Sequence, residues 1–109
     1  MPWVATISPD DLEPDGVASA QAGRIWVALY RAEGQFYATS VMCTHGQASL
    51  ADGYLEGFQI ECPLHQGLFD IRTGAATAAP CVDPIKTYPA RLGDAGLVEV
   101  QISDEEASA

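Results

Sequence analysis

Both histidines of this chain and two of its three cysteines fall within one window, "CTHGQASLADGYLEGFQIECPLHQG", residues 43–67. The pattern is Cys43-x-His45, then sixteen residues, then Cys62-x-x-His65. Each of two tight segments thus offers one thiolate and one imidazole. Buried cysteines and structural histidines need no such clustering, whereas a bound metal does. Gly46 and Gly67 follow closely on the histidines, where backbone must pass near a bound group, and Pro63 stiffens the second segment. Two thiolates and two imidazoles suit zinc or an iron–sulfur centre. Zinc fingers usually group the cysteines in one half and the histidines in the other. Here each half is mixed, an order that would put sulfurs and nitrogens on different atoms of a two-iron cluster gripped from opposite sides.

Other chemistry finds no foothold. There is no Ser-His-Asp set, no phosphate-cradling Gly-rich loop and no third histidine to serve as a general base. The carboxylates read as an acidic surface. Five Lys and Arg against fifteen Asp and Glu give a formal net charge of −10. That charge argues against nucleic acid and against an anionic membrane surface, and favours solubility or an acidic face docking on a basic protein.

The elements that must hold these ligands read as strands. A length of 109 residues predicts a single domain, here taken as 1–103 with its metal-binding part at about 41–82. Short β-like runs punctuated by Gly, Pro and Asp predict an all-β chain. Residues 24–31 and 35–41 form a hairpin across "AEG", with Gly34 in the turn. "YLEGFQIE" is strand, turn and strand around Glu56-Gly57, and "GLFDI" enters a turn at Thr73-Gly74. "IKTYPARL" and "GLVEVQI" form a closing pair across "GDA". Ser8 caps one helical turn opened by Pro9, and the acidic tail 104–109 is expected to fray. The start "MPWVATISPDD" lacks the pattern of a signal peptide, and "IWVALY" is too short to span a bilayer. A cytoplasmic, reducing setting is therefore expected, in which cysteines are more often ligands than disulfide partners.

The two boxes, Cys43-Thr44-His45-Gly46 and Cys62-Pro63-Leu64-His65-Gln66-Gly67, continuing to Phe69-Asp70 and Thr73-Gly74, resemble those of the Rieske family. The resemblance covers nearly the whole chain. It implies a Rieske fold, an antiparallel β-sandwich with a small cluster-binding subdomain of two loops, and one [2Fe-2S] cluster. Carried over, Cys43 and Cys62 bind the inner iron, and His45 and His65 bind the outer, solvent-near iron. Ala79-Pro80 matches the loop that covers the cluster, and Cys81 is a packing residue. Neutral imidazoles in place of two thiolates make the added electron easier to accept, which places such centres at roughly −150 to +300 mV.

Respiratory relatives carry a loop-tying disulfide and two cluster-facing hydroxyls. The matching positions here are Ala48 and Leu64, and Gly67 and Phe69, so the chain looks like the low-potential branch, near about −150 mV. "DGYLEGFQIECPLHQGLFD" and "IKTYP" are similar to ferredoxins of naphthalene- and biphenyl-dioxygenase-type systems. That likeness implies an electron carrier and not an enzyme. Its partners would be a flavin-containing NAD(P)H ferredoxin reductase and the terminal oxygenase of an aromatic ring-hydroxylating dioxygenase. The oxygenase itself would need a further mononuclear iron site, and both histidines are already committed. The alternatives are a Rieske-type small subunit of another redox enzyme, such as nitrite reductase, and a zinc-stabilised binding module.

Overall fold

The structure, a computed structural model, describes residues 1–43, 48–63, 66–79 and 83–107. Its strands are β1 (Trp3–Ala5), β2 (Val17–Ala22), β3 (Ile25–Ala32), β4 (Gln35–Ser40), β5 (Tyr54–Glu56), β6 (Gln59–Glu61), β7 (Leu68–Asp70), β8 (Ala76–Ala78), β9 (Thr87–Tyr88), β10 (Ala90–Leu92) and β11 (Val98–Gln101). They form three antiparallel sheets, β1-β11-β10, β2-β3-β4-β9 and β5-β6-β7-β8. The all-β expectation holds. No helix among the described residues is long and apolar enough to cross a membrane.

The β2-β3-β4-β9 sheet is the middle layer, and β3 shows why. Successive strand residues point to opposite faces. Val27 and Leu29 join one apolar cluster, with Val98, Val100 and Ile102. Ala28, Tyr30 and Ala32 join another, with Cys43, Leu50, Leu55, Ile60, Cys62 and Phe69. "VALYRA" is therefore a nearly unbroken apolar run because both of its faces are covered. The Tyr30 hydroxyl brings a polar atom into the second cluster and is satisfied there by Thr39 Oγ1 at 2.8 Å.

The β3–β4 hairpin closes through two residues rather than the three expected, Glu33 and Gly34, at φ of 53° and 73°. Ala32 remains paired with Gln35. Two consecutive positive φ values match the twist of the flanking strands. The Ser8 cap is as read, its side chain accepting from the Asp10 N–H ahead of a one-turn 3₁₀ helix at Pro9–Asp11.

"IKTYPARL" is not one strand. Thr87–Tyr88 pairs with β4, whereas Ala90–Leu92 pairs with β11 in a different sheet. Pro89 lies between them, and having no N–H it cannot extend a ladder. Its carbonyl instead accepts from Gln101 N at 2.9 Å. Strands β1, β2 and β8 were not anticipated. They are short or small-residue segments whose pairing depends on distant partners.

Two contacts hold the layers and loops in place. Gly53 ends a 3₁₀ turn at Leu50–Asp52 and passes so close to β6 that a Cβ there would run into the Glu61 carbonyl. It brings the chain leaving Cys43 against the strand that leads into Cys62. At the other end, residues 104–107 form a short helix, α1, instead of fraying. The Glu106 carboxylate accepts from Ser103 N (3.0 Å), Lys86 Nζ (3.1 Å) and the Tyr88 hydroxyl (3.1 Å). Its own carbonyl accepts from Arg24 N at 2.7 Å. An acidic tail is thereby tied to the turn between β2 and β3 and to β9.

Gly53→Ala should cost about 2 kcal/mol or more, because the obstacle is backbone and cannot rotate away. Chemical denaturation of the loaded protein reads this directly, and unchanged stability would contradict the close approach. The Ser103 N–H, backed by Lys86 and Tyr88, lowers the Glu106 carboxyl from the ordinary 4.5 to about 2. A depressed carboxylate pKa contributes stability that is full above about 4.5 and is lost as pH falls toward about 2. Glu106→Gln should therefore lower stability at pH 7 by about 1 kcal/mol, a small value because Lys86 is solvent-exposed. The difference from the parent chain should shrink as pH falls through about 2 and vanish only below it, in parallel denaturation curves.

Candidate metal centre

The two cysteines occupy equivalent positions in two hairpins. Met42 bridges Ser49 in antiparallel fashion, and the Cys43 N–H donates to the Ala48 carbonyl at 3.0 Å. Glu61 pairs with Leu68, and the Cys62 N–H donates to the Gly67 carbonyl at 2.8 Å. Each cysteine thus sits one residue beyond an antiparallel pair, Met42 with Ser49 in one case and Glu61 with Leu68 in the other. Each sends its N–H to the carbonyl five residues on. The two boxes differ in spacing, yet the same closure frames both.

Local chemistry explains the shape of each loop. After the first, Ser49 caps the 3₁₀ turn by accepting from Ala51 N, and Leu50 N donates to the Val41 carbonyl at 2.7 Å. In the second, Gln66 takes a φ of 62°, a left-handed conformation that costs a residue with a Cβ roughly 1–2 kcal/mol. That turn returns the chain so that Gly67 can reach Cys62.

Both cysteines face inward. Cys62 is 0% exposed and Cys43 5%, and both belong to the apolar cluster of Tyr30, Leu50, Ile60, Phe69 and Ile85. Two cysteines from opposed loops, buried in one apolar cluster, suit thiolate ligation of an inner iron kept from water. The donor set therefore fits an iron–sulfur cluster on its cysteine side. His45 and His65 lie outside the described residues, as do Gly46, Leu64, Pro80 and Cys81. Phe69, where respiratory relatives place a hydroxyl, is fully buried and pairs with Ile60. Gly74, at a φ of 83°, donates its N–H to the Asp70 carbonyl and accepts from Ile85 N at 2.9 Å. It fastens the far end of the segment that follows Ala79 onto the sheet carrying Cys62.

Sequence reasoning named both cysteines but not Gly53, which brings their segments together, and it noted Ala48 only for lacking a cysteine, not as the acceptor of the Cys43 N–H. Neither carries a ligand signal. The clue to Gly53 was its place between a capped turn and a strand.

The family described as the Rieske [2Fe-2S] domain matches residues 2–89. The ferredoxin component of the naphthalene 1,2-dioxygenase system of Pseudomonas putida is 47% identical over 90 residues, covering 83% of this chain and 86% of the relative. The anthranilate 1,2-dioxygenase ferredoxin subunit of Burkholderia cepacia is 44% identical over 100 residues, covering 92% of each. A solved structure, the complex of reduced oxygenase and oxidised ferredoxin in carbazole 1,9a-dioxygenase, aligns with a TM-score of 0.81 at 35% identity, over 93% of this chain and 97% of that one. The domain match implies a Rieske-type [2Fe-2S] cluster, rather than zinc, as the group this chain holds. Buried thiolates on twin hairpins, the domain match and the ferredoxin relatives converge: this chain belongs to the Rieske [2Fe-2S] family, as an electron-carrying ferredoxin of the dioxygenase-system type.

Proposed function

We propose that the chain receives single electrons from a flavin-containing NAD(P)H reductase and delivers them to the terminal oxygenase of an aromatic ring-hydroxylating dioxygenase. Cys43, His45, Cys62 and His65 would hold the cluster, the cysteines on the inner iron and the histidines on the outer. We assign residues 1–103 to one domain, with its cluster-binding part at about 41–82. When bound, the cluster supplies a reversible one-electron site. The protein's own part is to keep the thiolates dry, to hold both hairpins rigid, and to present their tips to a partner.

The observation that carries this reading is the pair of buried cysteines, each closing an equivalent loop within one apolar cluster. Relatives named as ferredoxin components support the same role. The cytoplasm, where nicotinamide-fed reductases work and thiols stay reduced, is the compartment that suits it.

Cys43→Ser and Cys62→Ser should each abolish the visible absorption of the cluster and leave poorly folded protein. Cys81→Ser should leave the spectrum intact. Iron and acid-labile sulfide should be found at two each per chain in the parent protein. Stoichiometric zinc in protein expressed with ample iron would overturn the ligand assignment.

A further inference from the structure

Strands β5, β6 and β7 bury Leu55, Ile60 and Phe69 on their inner face. Their outer face carries Tyr54, Glu56, Gln59, Glu61 and Leu68, with Asp70, ion-paired to Arg72, opposite Gln59 at its edge. Register sets Tyr54 beside Glu61, Glu61 beside Leu68, and Glu56 beside Gln59. Two adjoining grooves of about 300 and 230 Å³ open here and share Tyr54, Glu61 and Gln66. The second also reaches Asp52, Cys62 and Pro63. Whatever seats in it stands beside a cysteine of the metal centre. Tyr54 is 57% exposed, large for an aromatic side chain.

The charge is equally one-sided. Asp52, Glu56 and Glu61 line the grooves, and no cation does. Among the described residues, none of the three forms an ion pair. Four of the chain's five Lys and Arg are engaged outside the grooves. Arg72 pairs with Asp70, Lys86 with Glu106 and Arg91 with Glu99, while Arg31 donates to the Leu12 carbonyl. An exposed phenol ring flanked by uncompensated carboxylates matches a guanidinium or ammonium, which stacks on the ring and pairs with the carboxylates. Grooves this small hold single side chains, in keeping with a contact that must part after each transfer.

We propose that this outer face of β5–β7 is where the terminal oxygenase docks, seating an arginine or lysine among Tyr54, Glu56 and Glu61. The inference rests on the oxygenase partnership proposed above. The oxygenase is chosen over the reductase because a ferredoxin of the same fold, 35% identical, is seen in complex with an oxygenase.

The test uses the loaded chain with the reductase and oxygenase of the Pseudomonas putida naphthalene 1,2-dioxygenase system, whose own ferredoxin is 47% identical. In Glu56→Gln/Glu61→Gln, the apparent KM for the carrier in oxygenase reduction should rise about tenfold at low salt, with kcat unchanged. Its dependence on ionic strength should flatten. The visible spectrum and the rate of reduction by the reductase should stay at parent values, and Glu56→Asp/Glu61→Asp should recover most of the loss. Tyr54→Ser should raise the same KM without altering the salt dependence. A control of equal charge away from this face, Asp10→Asn/Asp94→Asn, should have little effect. An unchanged KM, or an equal rise in the control, would overturn the proposal. So would a rise confined to the reductase, which would make that protein the occupant. A parent chain that accepts electrons yet passes none to the oxygenase would refute the partnership itself, a failure visible before any variant is made.

Discussion

The structure turns on one repeated hydrogen bond, from the N–H of a cysteine to the carbonyl five residues on. Cys43 makes it to Ala48 and Cys62 to Gly67. A strand ladder stands immediately behind Cys62 and an antiparallel bridge, Met42 with Ser49, behind Cys43, so the backbone at both cysteines is held by cross-strand pairing. An electron carrier gains from this. As the proposed ligands, these two cysteines would have little need to move between oxidation states, since their backbone is anchored to paired strands.

The rest of the molecule serves to bring those two hairpins together. The middle sheet supplies a floor, with Ala28 and Tyr30 beneath the cysteines. Gly53 removes the one side-chain atom that would hold the first loop away from the second. Gly74 fastens the returning chain at Ile85. On the opposite face of the middle sheet, Val27 and Leu29 pack on Val98, Val100 and Ile102. The β1-β11-β10 sheet thereby supports the face of the middle sheet opposite the cysteines. Glu106 adds a polar clasp at the same end of the chain, binding Lys86 and Tyr88 to the tail.

Charge is distributed with the same economy. Four of the five Lys and Arg sit against carboxylates or carbonyls, and among the described residues the groove beside Cys62 is lined by Asp52 and Glu61 with no cation. Such a face repels like surfaces and orients a basic one before contact, which favours fast encounter over tight binding.

What the sequence determined by itself was chemistry that depends on residue type and short spacing. The proposed ligand set Cys43, His45, Cys62 and His65 was read from residue type and spacing alone, and the structure adds the burial of its two cysteines in one apolar cluster. The hairpin over Gly34, the turn at Gly57 and the cap at Ser8 were legible because each depends on backbone energetics within a few residues. Only the tertiary structure decided which segments share a sheet. "IKTYPARL" has the pattern of one strand, and its division at Pro89 between two sheets follows from partners about 50 residues upstream and 10 downstream in the chain. Likewise "SDEEASA" has a composition that predicts fraying, and its docking depends on Lys86, Tyr88 and the Arg24 N–H waiting across the fold. Gly53 shows the limit most clearly. A glycine is as plain as a sequence can be, and its role exists only because the Glu61 carbonyl, eight residues later, folds back to where a Cβ would have stood.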